Sequence, residues 1–207
     1  MTSESSRAMR ILRTGALAVA MSVAALSAEA VPVLFNGHYY ETFVAPGISW
    51  AGADAAAQSL SFMGVQGQLA TITSLAEDAF INGLRLATLG INLTGGYPGS
   101  ELWVGGFQVA GFGEPGGGWQ WVNGDGPIPP TNAGPGYANW LPGEPNNLGG
   151  EDFLAIGLTN QFGWNDEGNL AGIHGYVVEY NVPEPGTLLL LGSGLTGLVL
   201  RRRQRQS

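Results

Sequence analysis

The chain has 207 residues, carries 16 Asp and Glu against 8 basic residues for a net charge of −8, and contains no cysteine. The missing cysteine excludes a disulfide framework, a thiolate metal site and a cysteine nucleophile, and a chain of this length can bury a core without such staples. All the basic residues are arginines, and they sit at the ends: Arg7, Arg10 and Arg13 in front, Arg201, Arg202, Arg203 and Arg205 behind, with only Arg85 between. From Val31 to Val182, thirteen Asp and Glu face that one arginine, 1 − 13 = −12. Such a surface repels phosphate backbones, so no nucleic-acid partner is expected, and it favours cations.

In chain order, the first segment is basic up to Arg13, then apolar from Gly15 to Leu26, then Ala28-Glu29-Ala30, a small-residue A-x-A site. This is the pattern of a cleaved secretory signal peptide over residues 1–30. His38 to Val44 predicts a first strand. Ser49 to Phe62 predicts a helix with Ser49 as N-cap. Gly67 to Ile72 leads into a second helix, Ser74 to Ala87, in which Ser74 and Glu77 form a capping box and Leu75, Ala79, Leu84 and Leu86 supply the apolar positions. Short strands follow at Glu101–Phe107 and Gly118–Asn123. Gly124 to Gly150 is rich in glycine, proline and asparagine, a loop long enough to suggest function. Phe153–Leu158 and Gly175–Tyr180 read as closing strands. The fold class is α+β. Trp103, Trp119, Trp121 and Trp164 are expected in the core, Trp140 either there or beside a site, and His38 and His174 in structural roles. Asn92-Leu93-Thr94 has the spacing of a glycosylation acceptor.

The last 26 residues, 182–207, read Val-Pro-Glu-Pro-Gly, an apolar run from Leu188 to Leu200, and an arginine cluster. Thirteen helical residues reach about 20 Å, short of the roughly 30 Å hydrocarbon core, and the arginines favour the cytoplasmic side. The three features in this order resemble the PEP-CTERM sorting signal of Gram-negative bacteria. That resemblance implies recognition by an exosortase, removal of the tail, transient membrane contact through the short helix, and a final location in the cell envelope, on the surface or outside the cell.

The middle of the chain, residues 31–181, resembles the C-type lectin-like domain. The pieces run in family order: two helices joined by Leu69-Ala70-Thr71-Ile72, then Trp103-Val104-Gly105-Gly106, Trp119-Gln120-Trp121, Asn139-Trp140, Glu144-Pro145-Asn146, Glu151-Asp152, Trp164-Asn165-Asp166 and the final strand. The resemblance implies two helices packed on short antiparallel sheets with a long calcium-binding loop. It also implies Ca2+ held by Glu144, Asn146, Glu151, Asn165 and Asp166, with Pro145 in a cis peptide bond, and a mannose- or glucose-type carbohydrate bound through Glu144, Asn146, Glu151 and Asn165. The chemistry is consistent. Ca2+ takes six to eight oxygen ligands, and these five side chains offer three carboxylates and two amides. Positions left open on the ion suit vicinal sugar hydroxyls, and the same side chains can hydrogen-bond them.

Three departures from the family pattern stand out. The stretch from Glu144 to Glu151 is one residue shorter than in mannose-binding members. Phe153 and Val178 occupy positions where the family has cysteines, so apolar packing is expected to replace the bridges. Asn147 stands where an aspartate is frequent, leaving Glu114 and Asp152 as the acids available to an auxiliary site. Two functions compete: a calcium-dependent carbohydrate binder, and a structural or protein-interaction domain in which calcium only stabilises the loop. No nucleophile–base pair is recognisable, so no enzyme activity is expected.

Overall fold

The computed structural model describes residues 31–90, 100–168 and 170–183. The expected signal peptide, the Asn92 sequence and the tail from Glu184 onward lie outside the described residues. Twelve elements follow one another: β1 (Val33–Phe35), β2 (His38–Val44), α1 (Trp50–Ser59), β3 (Ser61–Phe62), β4 (Val65–Gln66), β5 (Gln68–Leu69), α2 (Leu75–Leu89), β6 (Glu101–Gln108), β7 (Trp119–Trp121), β8 (Phe153–Ile156), β9 (Trp164–Glu167) and β10 (Ile173–Tyr180). The main sheet runs β1-β2-β10-β6-β8-β9, with β5 added to β10 and β7 added to β6. Every pairing is antiparallel except β6 with β10, which is parallel. The α+β architecture expected from the sequence is the one observed.

The first helix begins as its sequence dictates: the Ser49 hydroxyl accepts from the Gly52 N–H at 3.1 Å. It stops three residues before the expected end. Leu60 turns extended, and Met63 and Gly64, both at positive φ, make the tight turn between β3 and β4. Consecutive positive φ values match the right-handed twist of a two-residue hairpin, so Ser61 and Phe62 pair as strand rather than continue the helix.

The second helix is the larger correction. Ser74 caps it, accepting from Glu77 N–H at 3.2 Å, and Gly90 closes it at φ 65°. The Glu77 carboxylate does not reach back to Ser74. It accepts from the Thr73 N–H and hydroxyl and from the Tyr40 hydroxyl. The buried face is only in part the expected apolar one: Leu84 packs against the core. Leu75 is 61% exposed, Ala79 is exposed too, and the inward positions are Glu77, Asp78, Ile81 and Arg85. Positions 77, 81 and 85 follow the i+4 stripe of a helix. Their polar members are tolerated inside because each has partners: Arg85 donates to Asn82 Oδ1, Ser100 O and Asn160 Oδ1.

Two apolar clusters form the core. One gathers Ile72, Ile81, Leu102, Val104, Leu154 and four tryptophans, Trp119, Trp121, Trp140 and Trp164. The other joins Ala53 and Ala57 of α1 to Leu69, Trp103, Val178 and Tyr180. Val178 is fully buried in this second cluster and Phe153 packs against it, stacked on Trp50 at 4.8 Å. Apolar packing therefore fills the positions where the resemblance called for cysteines. The long loop, residues 124–150, carries only isolated bridges, at Pro127 and Trp140. Ile128, Trp140 and Leu141 nonetheless anchor it in the core. Trp140 is a core residue: it meets Trp119 and Trp164 edge to face, 5.1 and 5.7 Å between centroids, a favoured aromatic geometry.

Candidate metal centre

Two segments supply the candidate ligands. The first is the end of the long loop, from Glu144 to Glu151. The second is β9, laid against β8 with Leu154 opposite Asp166 and Ala155 opposite Asn165. The Glu144–Pro145 peptide is cis, as the resemblance implied. Asn146 Nδ2 donates to Glu144 Oε2, so these two side chains touch.

Hydrogen bonds fix the loop on β9. The fully buried Asp166 carboxylate accepts from the Asn146 N–H at 2.9 and 3.0 Å and from the Asn147 N–H at 2.7 Å. Asn147 sits at φ 54°, a conformation asparagine adopts more readily than most residues, and its Oδ1 accepts from Glu151 N–H at 2.7 Å. Leu148 N–H donates to both Asn146 Oδ1 and Glu151 Oε2, at 2.7 and 2.9 Å. Glu144, Asn146, Glu151 and Asp166 are thereby joined in one network. Leu148 itself points outward, 78% exposed, at the edge of this group.

Asn165 is placed differently. Neighbouring residues of a strand face opposite ways, so Asn165 and Asp166 diverge. The Asn165 amide nitrogen donates to Glu101 Oε1 at 3.2 Å and contacts Glu167 Oε2 at 3.5 Å. Glu101 and Glu167 were not singled out by the sequence. Glu167 could have been: read as a strand, Trp164-Asn165-Asp166-Glu167 puts residues 165 and 167 on one face. Glu101 becomes a neighbour only through the β6-β8-β9 order, which no local pattern reveals.

The electrostatics connect the two groups. Burial, then the hydrogen bond and repulsion from Asp166, push the Glu144 carboxyl up to about 7. Burial also pushes Glu151 up to about 6, against the stabilising Leu148 N–H, with Asp166 and Glu167 both adding repulsion. Glu101 rises to about 7 through burial and the nearby Glu167. Glu151 feels carboxylates on both sides and so stands between the loop group and the Asn165 group.

The residues fit a hard cation in kind: every candidate donor is an oxygen, and crowded carboxylates gain from a divalent charge. Two features limit the fit. The Asp166 carboxylate already accepts from two backbone N–H groups, that of Asn146 shared between both oxygens and that of Asn147 on one. Among the described residues, no three Asp, Glu or His side chains lie close enough to hold a metal by themselves, so an ion here would need the asparagine oxygens too. Of the auxiliary acids, Glu114 and Asp152 are both exposed, and Asn147 is spent on Glu151.

Comparison with known proteins agrees with this architecture. Residues 181–203 match the PEP-CTERM protein-sorting motif. The chain is 33% identical over 156 residues, 70% of its length, to halomucin of Haloquadratum walsbyi, of which the match spans 1%. Among solved structures it is similar to the C-type lectin CEL-I from Cucumaria echinata, at 24% identity and TM-score 0.51, covering 71% of this chain and 92% of that one. The cow C-type carbohydrate-recognition domain of CD23 gives 24% and 0.51, covering 72% and 91%. Herring type II antifreeze protein gives 21% and 0.51, covering 72% and 95%. Among the described residues no helix is long and apolar enough to cross a membrane. The chain has the C-type lectin-like fold and carries a PEP-CTERM sorting motif at its C-terminal end.

Proposed function

We propose that this is an exported, calcium-dependent carbohydrate-binding protein of the cell envelope or extracellular matrix, reading mannose- or glucose-type sugars. The observation that carries the reading is the hydrogen-bonded network that joins Glu144, Asn146, Glu151 and Asp166 on one loop and strand, with no Lys or Arg beside them among the described residues. These side chains would hold Ca2+, and Asn165 would join them only by leaving Glu101 and turning its whole side chain toward the loop. The ion would supply open coordination positions for vicinal sugar hydroxyls. The chain's own part is to hold the oxygens in place: Asp166 fixes the loop backbone, and Asn147 and Glu151 fix its return. The cow CD23 structure was determined in the presence of GlcNAc2Man3 oligosaccharide, which supports a carbohydrate reading of this fold. One ion per site makes each contact weak, so a polymeric glycan bound at several copies suits it best.

Export follows the same reading. Residues 1–30 would be removed on secretion, residues 31–181 form the binding domain, and residues 182–207 engage the membrane transiently until an exosortase-type enzyme processes them.

The test is calorimetric titration of Ca2+ with and without mannose. Coupled binding, with mannose binding abolished by chelator, is the expected result. The paired change Glu144→Gln with Asn146→Asp is expected to move preference toward galactose. Calcium binding that no monosaccharide alters would favour the second reading, a structural or interaction domain whose loop the ion only stabilises. That reading draws on the Asp166 carboxylate being occupied by backbone N–H groups and on the Asn165 amide being turned to Glu101.

A further inference from the structure

A groove of about 290 Å³ lies on the side of the domain where the chain enters and leaves it. Its apolar lining is Val31, Pro32, Phe43, Leu60, Phe62 and Tyr180. The register explains the gathering. Residues directly opposite each other in an antiparallel pair share a face, so Leu34 of β1, Tyr39 of β2 and Tyr180 of β10 stand in a row on one side of the sheet. Phe62 of β3 packs on both tyrosines, at 4.8 and 5.7 Å between ring centroids, which lays the β3–β4 hairpin over that side. Val182 packs against the same cluster as Tyr180.

The rim of the groove is apolar too. Leu34 is 56% exposed, and Met63, at the tip of the hairpin, 62%. The one charged residue in the lining, Glu41, is buried and accepts from the Tyr180 hydroxyl at 3.1 Å. Large apolar side chains left in water beside an apolar groove mark an interaction surface. The chain on either side of the groove indicates the partner. The apolar run Gly15–Leu26 ends five residues before Val31, and the run Leu188–Leu200 begins six residues after Val182. At no more than about 3.6 Å per residue, neither connection exceeds about 22 Å. A bilayer that takes up either run therefore has this groove within that reach. Acidic charge on the domain would repel anionic headgroups, so the contact has to rest on the apolar atoms.

We propose that this groove, with Leu34 and Met63 at its rim, is a lipid-contact face that rests on the bilayer while a terminal segment is held there. The inference rests on the export reading above, in which the terminal segments engage the membrane. It also gives the candidate metal centre an orientation. Strand β9 lies five strand spacings from β1 in the sheet order, about 24 Å at about 4.8 Å per spacing. Docking the β1 side on lipid holds the Glu144–Glu151 loop away from the membrane and open to a glycan.

The chain has no cysteine, so single fluorophores can be placed by Leu34→Cys, by Met63→Cys and, between β8 and β9 on the far side, by Phe162→Cys. Each full chain is incorporated into phosphatidylcholine vesicles that contain nitroxide-labelled lipid. Interfacial apolar groups sit about 5–10 Å into the headgroup boundary, so quenching at positions 34 and 63 should be at least about twofold that at 162. Adding Leu34→Glu to the Met63-labelled chain should lower its quenching while the far-UV circular dichroism stays unchanged. Vesicle flotation separates the two readings. A chain that does not float with the vesicles overturns the membrane step of the export reading, and this inference with it. A chain that floats while positions 34 and 63 are quenched no more than 162 overturns this inference alone. Emission shifts at 34 and 63 that follow protein concentration rather than lipid would also overturn it, in favour of a second copy on this face.

Discussion

Asp78 lies outside the motifs, yet it joins the segments that carry the candidate site. One oxygen of its buried carboxylate accepts from the Tyr137 hydroxyl at 2.8 Å, the Asn139 amide at 2.8 Å and the Trp164 indole at 3.1 Å. It therefore ties α2 to the long loop and to β9, the two segments that carry the metal-site candidates. Burial pushes its carboxyl up, while these three donors pull it down. Asp78→Ala removes the acceptor and leaves three donors without it, so a loss of about 3 kcal/mol in unfolding free energy is expected, read by denaturant titration. Asp78→Asn retains one acceptor oxygen and should lose less. Leu148 offers a test of the opposite kind. Its side chain is exposed beside the site and only its backbone N–H takes part in it. Leu148→Ala should leave the melting temperature within about a degree, in line with the small effects of exposed substitutions, and any change in glycan preference would report direct contact with the sugar.

At the scale of elements, β6 shows how closely the pieces approach. Gly105 lies where a Cβ would stand 2.8 Å from Leu69 O, and Gly106 where it would stand 2.6 Å from Leu154 Cβ. Backbone at Leu69 cannot yield as a side chain can, so Gly105→Ala should cost about 1–3 kcal/mol through overpacking, measured as a lowered denaturation midpoint. Elements whose sequence carries a local signal were legible. The strand His38–Val44 is read from its aromatic and β-branched residues and the helix starts from their serine caps, because strand propensity and capping act over a few residues. The inward face of α2 was not. Glu77, Asp78 and Arg85 are buried through partners on β2, the long loop and the Leu158–Asn160 turn, which hydrophobic spacing cannot reveal. Strand β9 was missed for a related reason: all four of its residues are buried and three are polar, so it shows no alternation. In the site, Glu144-Pro145-Asn146 was legible because it is contiguous. The diversion of Asn165 toward Glu101 was not, because strand order decides it.

For the whole molecule, the crowding of carboxylates sets a pH dependence of definite sign. Glu144 and Glu101 are pushed up to about 7 and Glu151 to about 6, while unfolded glutamates titrate near 4.3. The folded state therefore binds protons more tightly than the unfolded state at these positions. Stability from these groups is complete below about pH 4.3 and is lost as pH rises through 6 to 7. In chelator, the melting temperature should be lower at pH 8 than at pH 5.5. Calcium acts in the other direction. Its ligands must be ionised, so at pH 5.5 the ion has to displace protons from Glu144 and Glu151, whereas at pH 8 it meets carboxylates already charged and repelling one another. Binding to the folded state raises its stability by mass action, and the calcium-induced rise in melting temperature should be larger at pH 8. Scanning calorimetry of the full chain at both pH values, with calcium and with chelator, decides the matter. A calcium-induced rise that is equal at the two pH values would mean that Glu144 and Glu151 do not hold the ion. Glu144→Gln removes one of the titrating carboxylates and should flatten the pH dependence in chelator as well as the response to calcium. Flattening of both together is a signature that loss of a structural contact alone would not give.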